Sequence, residues 1–308
     1  MKEKMSLIQK EEKVKKEKKH TLEIKKLKRK SAYFLAPSVL GVGIFFILPF
    51  IVVIYYSLVN NPIQNKFVFL DNFIRIWNNS AFRLAAGNTL RFSLIAVPLV
   101  VILSMAMAFA LDLAIPLKSQ LRTLLLSPMM VPIASVILIW QVLFHYNGVV
   151  NEFLLLINQE RIDWFKSYHA QTILVILFVW KNLGYNMILF MAAISTIPKE
   201  LIEVANLENA KRWQIFLFIK ARYLSSTILF VTILSLINSF KVFREVYMLT
   251  GEYPFDALYL LQHFMNNTFN SLDYQKLSAA AIIMSLFMIV IIGLLFWVEN
   301  YFGKDLEE

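Results

Sequence analysis

Several apolar segments of this chain are long enough to cross a lipid bilayer, and they constrain its fold more than any other feature. A helix needs roughly 20 apolar residues to span the hydrocarbon core. Of the 308 residues, 58% are hydrophobic and only 17% are charged, so a water-soluble domain would lack polar surface. The segments do not alternate polar with apolar residues as membrane β-strands do. We therefore expect an all-α membrane protein.

Six apolar runs predict six transmembrane helices, at about residues 33–58, 88–111, 123–144, 172–194, 225–249 and 277–297. Prolines lie within the first and third runs, where membrane helices tolerate them better than soluble helices do. Between the runs, an interfacial helix is predicted at about residues 70–77 and an amphipathic piece at 149–165. An even number of spans places both ends of the chain on one side of the membrane.

Positive charge predicts which side that is. Residues 1–31 hold thirteen Lys and Arg against five Glu, a net of +8 of the chain's +10. Together with the turn after the second span, the segment after the fourth and the C-terminal end, this side holds 21 Lys and Arg, against five on the other side. Cytoplasmic loops carry such an excess, so both termini are expected in the cytoplasm.

This pattern divides the chain into a basic cytoplasmic tail (1–31), a six-helix transmembrane domain (32–302) and a short cytoplasmic C-terminal tail (303–308). The basic tail has no aromatic residues among its Lys and Arg. We therefore expect it to contact anionic membrane lipids rather than nucleic acid.

The sequence predicts no catalytic or metal site and no cofactor. It has no cysteine, and its four histidines lack ligand spacing to one another. It contains neither G-x-x-x-x-G-K-[ST] nor G-x-G-x-x-G, so it has no nucleotide-phosphate cradle of its own. These absences argue against an enzyme.

Polar residues within the fourth and fifth spans are the remaining chemical signal, because polar groups in a bilayer tend to face a bundle interior or a wet cavity. An aromatic ring beside amides and hydroxyls suits a neutral sugar, because the C–H faces of a sugar stack on the ring and its hydroxyls need hydrogen-bond partners. The alternative is helix–helix contact, in which Asn, Ser and Gly are common. The predicted substrate-pathway residues are Trp180, Asn182, Gly184, Met187, Ser235, Asn238, Ser239 and Val242.

Charged residues near the predicted external end of the fifth span can be explained without a role in transport. Lys241 and Glu245 stand four residues apart, the spacing of a helical ion pair, and Lys241 and Arg244 have stems long enough to reach towards water. An anionic solute would need basic residues on the pathway faces, and the faces chosen above are neutral.

The segment at residues 197–222 is polar and ordered, between two apolar runs. It predicts two short helices joined by a turn, with Thr196 capping the first helix, Pro198 in its first turn and Glu200 near the positive end of its dipole. A second amphipathic helix follows, with aromatic residues among basic ones.

This segment resembles the cytoplasmic loop signature of binding-protein-dependent ABC importer permeases, roughly I-P-x-E-L-x-E-A-A-x-x-D-G-A-x-x-x-x-x-F-x-x-I-x-L-P. The chain departs from it at Val204, at Glu208-Asn209 in place of Asp-Gly, and at Ala221-Arg222 in place of Leu-Pro. The matching residues are Ile197, Pro198, Glu200, Leu201, Glu203, Ala205, Ala210, Phe216 and Ile219. Residues 31–58, 70–77, 88–93, 180–187 and 239–254 also resemble the sugar-permease branch.

The resemblance implies a type I importer fold in a bacterial inner membrane. It implies a second permease subunit, a cytoplasmic ATPase dimer and an extracellular solute-binding protein as partners. The cargo would be a sugar or oligosaccharide, with glycerol phosphate or another small polar solute as the alternative. The 197–222 loop would carry a coupling helix, and the implied ATPase-coupling residues are Glu200, Glu203, Val204, Ala205, Glu208, Asn209 and Ala210.

Overall fold

A computed structural model of the chain describes residues 33–61, 63–113 and 116–303, so the predicted basic tail lies outside the described residues, as does nearly all of the C-terminal tail. The described part is almost entirely helical. Its helices are α1 (Tyr33–Ser57), α2 (Asp71–Trp77), α3 (Ser80–Asp112), α4 (Lys118–Met130), α5 (Ile133–Leu143), α6 (Val149–Leu156), α7 (Ala170–Ile194), α8 (Lys199–Leu207), α9 (212–223), α10 (Ser225–Lys241), α11 (Phe243–Thr250), α12 (Leu261–Asn270) and α13 (Tyr274–Gly303).

Five helices of the described chain are long and apolar enough to cross a membrane: α1, α3, α7, α10 with α11, and α13. The third predicted span is instead the pair α4 and α5, bent by 98°. Proline explains the bend, because the residue before it is disfavoured in the helical region. Val131 accordingly leaves the helix at ψ 133° before Pro132. The described part of the chain thus has six candidate spans when the bent pair is counted as one.

The start of α3 was predicted too late. The helix begins at Ser80 rather than near residue 88, because the side chain of Asn79 accepts a hydrogen bond from the Phe82 N–H at 3.0 Å. An asparagine in this position satisfies one of the free N–H groups of the first turn.

The core lies where α3 and α7 pack side by side, with α4, α10 and α13 around them. Phe92 of α3 and Phe178 of α7 are fully buried and meet edge to face, with ring centres 5.5 Å apart. The hydroxyl of Ser104 donates to the Leu183 carbonyl at 3.1 Å. Membrane helices gain little from apolar burial alone, so close packing and such hydrogen bonds stabilise the contact.

At the end of the bundle opposite residues 197–222, a buried amide holds the loop between α5 and α7 together. Asn151 donates to the carbonyls of Tyr146 and Ile162 at 2.9 and 2.8 Å, and it accepts from Trp164 Nε1 at 3.0 Å. The interfacial helix predicted at residues 70–77, between the first and second spans, is α2. The amphipathic piece predicted at 149–165 is helical only as α6, and its remainder is this loop.

We expect Gly184→Ala to destabilise the protein because α7 lies against α4 at this point. A Cβ added to Gly184 would lie 1.9 Å from the Leu125 carbonyl oxygen, and overpacking of this kind costs about 1–3 kcal/mol. The matched control is Gly87→Ala on α3, where an added Cβ meets nothing within 4 Å. Thermal unfolding of the purified variants checks this, and equal midpoints would contradict the close contact.

Candidate functional site

A polar cavity of about 360 Å³ lies between α7 and the span formed by α10 and α11. Its walls combine charged, amide and phenol groups with apolar residues. The polar side chains that line it are Lys181, Asn182, Tyr185, Asn238, Lys241, Arg244 and Glu245. In this cavity, two membrane-spanning segments together present such groups to an open volume.

Two amides join the walls of this cavity. Asn238 Nδ2 donates to Asn182 Oδ1 at 3.2 Å, and Asn182 Nδ2 donates to the Phe178 carbonyl at 2.8 Å. Both asparagines are only partly buried, and each amide can make further hydrogen bonds. Of the predicted pathway residues, Asn182, Asn238 and Val242 line the cavity.

An ion pair crosses the cavity wall between the two spans. Lys181 Nζ donates to Glu245 Oε1, and Glu245 is only 4% exposed. The alternative interpretation of Lys241 with Glu245 as a pair within one helix is therefore wrong. The Glu245 carboxylate turns towards α7, where the Lys181 ammonium is its ion-pair partner.

The other predicted pathway residues lie in packed contacts or on a neighbouring surface. Ser235 accepts from Asn186 at 2.9 Å, and Ser239 shares a hydrogen bond with Ser93 at 2.8 Å. Met187 is fully buried, and Gly184 lies against α4. Trp180 is partly exposed, with its ring centre 6.1 Å from that of Trp140. These positions favour the helix–helix alternative for the two serines, Gly184 and Met187.

The charged residues that line the cavity were not among the predicted pathway residues. Asn238, Lys241 and Glu245 recur at helical spacing (i, i+3, i+7) and share a face. That face was passed over in favour of the one with Ser235 and Ser239, which turns into the bundle. Spacing alone identifies both faces, and only packing shows which one is open.

At the other end of the bundle, α8 exposes apolar side chains to its surroundings. Leu207 is 82% exposed and Val204 is 52% exposed, whereas Ala205 is 8% exposed and turns inwards. Glu200, Glu203 and Glu208 are also exposed, so charge surrounds the apolar pair. An exposed apolar patch with a polar rim is typical of a contact surface.

A turn joins α8 to α9 as predicted, and it is left-handed at Asn209. Asn209 has φ of 56°, a conformation that asparagine tolerates better than most residues. The Ala210 N–H donates to the Ala205 carbonyl at 2.9 Å and closes the end of the helix. Thr196, however, does not cap α8: its hydroxyl donates to the Ala193 carbonyl at 2.8 Å, because α7 extends to the residue before Ser195.

The segment after the turn is anchored on the bundle. Phe216 meets Phe109 of α3 edge to face, with ring centres 5.3 Å apart. Lys220 Nζ lies 5.2 Å from the centre of the same Phe109 ring, an attractive cation–π arrangement. These two contacts hold α9 against α3.

A buried histidine packs against the far end of the fifth span. His263 of α12 is fully buried, and its ring centre lies 4.6 Å from that of Phe243. Its Nδ1 accepts from the Leu260 N–H at 3.3 Å, and its Nε2 has no partner among the described residues. Burial lowers the pKa of His263 from 6.5 to about 4, because the charged ring would lose its hydration.

The described residues contain no group of three or more His, Asp or Glu placed to hold a metal ion.

Comparison with known proteins bears on the rest of the site. Residues 100–308 match the sequence model of the family described as "Binding-protein-dependent transport system inner membrane component".

Two relatives and one solved structure give the wider likeness. The lactose transport system permease protein LacF of Rhizobium radiobacter is 28% identical over 280 residues, 88% of this chain and 93% of the relative. The sn-glycerol-3-phosphate transport system permease protein UgpA of Rhizobium meliloti (strain 1021) is 26% identical over 268 residues, 84% and 90%. A chain in the crystal structure of a bacterial alginate ABC transporter, in complex with alginate pentasaccharide-bound periplasmic protein, shares the fold with a TM-score of 0.78 and 20% identity over 91% and 98% of the two chains.

We expect Lys181→Met to lower the free energy of unfolding by about 3 kcal/mol, because it leaves the Glu245 carboxylate buried without its cation. The double variant Lys181→Met with Glu245→Met is expected to regain most of that loss. Lys241→Met is the control and should cost little. Denaturant or thermal unfolding of the full chain in detergent checks the series. A Lys241→Met loss as large as that of Lys181→Met would contradict the assigned pair.

The protein is expected to lose stability as the pH falls from 6.5 towards 4, because the unfolded chain takes up a proton on His263 that the folded chain does not. The contribution is fully present above about pH 6.5 and amounts to at most about 3 kcal/mol. The unfolding midpoint at pH 7.5 and pH 4.5 checks this: His263→Gln should reduce the pH-dependent loss. His145→Gln, at an exposed site, should leave that loss unchanged. Identical pH profiles for the wild type and His263→Gln would refute the assignment.

Proposed function

The chain belongs to the family of binding-protein-dependent transport system inner membrane components, and from this membership we propose that it is a permease subunit of an ATP-driven saccharide importer. The observation that carries the proposal is the polar cavity between two membrane-spanning segments. Amides and charged groups in such a place are expensive in a bilayer, and a translocated polar solute gives them a use.

The chemistry of the cavity favours a saccharide. Asn182 and Asn238 offer amide donors and acceptors to hydroxyl groups, and Tyr185 adds a phenol. The names of the relatives support the same class, since one is a lactose permease and the solved transporter was captured with an alginate oligosaccharide on its periplasmic protein. A glycerol phosphate relative keeps a smaller phosphorylated polyol as the second candidate.

An importer of this type needs an external source of energy, and α8 is the proposed point of contact. The sequence has no nucleotide-phosphate cradle, so the ATPase is a separate subunit. Val204 and Leu207 present an apolar surface with Glu200, Glu203 and Glu208 around it. Docking of this surface on the ATPase would move α8, and the contact of Phe216 with Phe109 would carry that movement into α3.

The excess of Lys and Arg in the segments on one side of the spans supports a cytoplasmic position for α8 and both termini. The opposite end, with α2, α6 and α12, then faces the compartment from which a solute-binding protein delivers cargo. A second permease subunit completes the pathway. Alternating exposure of the cavity to the two sides would drive import.

We expect Leu207→Asp to reduce ATP-driven uptake at least tenfold, because a charge within the apolar surface prevents docking on the ATPase. Uptake of labelled saccharides is measured in proteoliposomes that hold the chain with its second permease, ATPase and binding protein. Asn206→Asp adds the same charge at the neighbouring exposed position of α8 and serves as the control. Normal uptake by Leu207→Asp would refute α8 as the coupling contact, and no saccharide uptake by the wild type would refute the proposed function.

A further inference from the structure

The cavity between α7 and the α10–α11 span carries more positive than negative charge. Lys181, Lys241 and Arg244 line it, and Glu245 is the single carboxylate among its lining residues. The Lys181–Glu245 ion pair accounts for one charge of each sign. Two cations therefore remain, and within the described ranges neither Lys241 nor Arg244 has a carboxylate within ion-pair distance.

These two cations lie within the fifth span rather than at its last residue. At a rise of 1.5 Å per residue, Lys241 lies roughly 13 Å from Thr250 at the end of α11, and Arg244 roughly 9 Å. Both side chains line the cavity and are exposed to it. Basic residues within membrane spans pair with other polar groups or face a wet cavity, and they often mark a substrate pathway.

The cavity also offers hydrogen-bond partners of both kinds. The Asn182 and Asn238 amides can donate to or accept from further hydroxyls. A ligand that satisfies all of these groups combines hydroxyls with at least one negative charge.

We propose that the cavity selects an anionic saccharide, a sugar that bears a carboxylate, sulfonate or phosphate group, with Lys241 and Arg244 as the residues that bind its charge. This inference rests on the proposed function and narrows its substrate class. It replaces the expectation of a neutral sugar, which came from the face with Ser235 and Ser239. That face is occupied by contacts with Asn186 and Ser93.

The test compares matched pairs of sugars on the assembled complex of the chain, its second permease and its ATPase, without the binding protein. The probes are glucose against glucuronate and glucose 6-phosphate, and cellobiose against cellobiouronate, at constant ionic strength. Dissociation constants are measured by calorimetry. We expect the anionic member of at least one pair to bind at least about tenfold more tightly, the effect of one well-placed charge pair at intermediate dielectric.

The double variant Lys241→Gln with Arg244→Gln should bring the ratio of the two dissociation constants close to one. The matched control removes two positive charges elsewhere, by Arg83→Gln with Lys166→Gln, at exposed positions outside the cavity. The control should keep the wild-type ratio. If the double variant does not assemble, each single variant should lower the ratio about threefold, and a retained ratio would refute the assignment.

The outcomes separate the inference from the proposed function. Equal affinity for the neutral and anionic members, together with ATP-driven saccharide uptake, overturns the inference and leaves the proposed function intact. An anionic preference that survives the double variant also overturns it, because other residues then bind the charge. Absence of both saccharide binding and saccharide uptake overturns the proposed function and the inference with it.

Discussion

A polar group within the hydrocarbon core of a bilayer has no water to satisfy it, so its partner has to come from another part of the protein. This requirement explains how the spans of this chain are held together. Ser93 with Ser239 and Asn186 with Ser235 join buried positions of neighbouring helices at 2.8 and 2.9 Å. Such bonds add modest stability each, but they fix which faces of the helices meet.

The polar cavity between α7 and the α10–α11 span is one place where this pairing is incomplete. Glu245 is paired through one oxygen only, and Lys241 and Arg244 face open volume rather than a carboxylate of the described residues. Unpaired polar groups around an open volume suit a polar ligand. At the opposite end, the apolar surface formed by Val204 and Leu207 of α8 is exposed and lacks an apolar partner among the described residues.

Much of the fold was predictable because apolar length and charge are properties of local sequence. The runs located the spans, and the turn predicted between the two short helices of residues 197–222 was confirmed. The misses have physical causes. Pro132 bends the third span by 98°, which length alone does not indicate, and Thr196 turns back to α7 because that helix continues further than expected. The ion pair between Lys181 and Glu245 was not predictable, since it joins residues of two different helices.

The sequence by itself determined that the chain crosses a membrane as helices, which segments connect them and which family it resembles, because hydrophobic length, charge asymmetry and loop motifs are read along the chain. Only the tertiary structure decided which polar residues line an open volume. Ser235, Asn238 and Ser239 are nearly equivalent in sequence, yet the two serines are enclosed by Asn186 and Ser93 while Asn238 faces the cavity with Lys241. Accessibility depends on how helices rotate against one another, and that rotation is set by contacts between residues far apart in the chain.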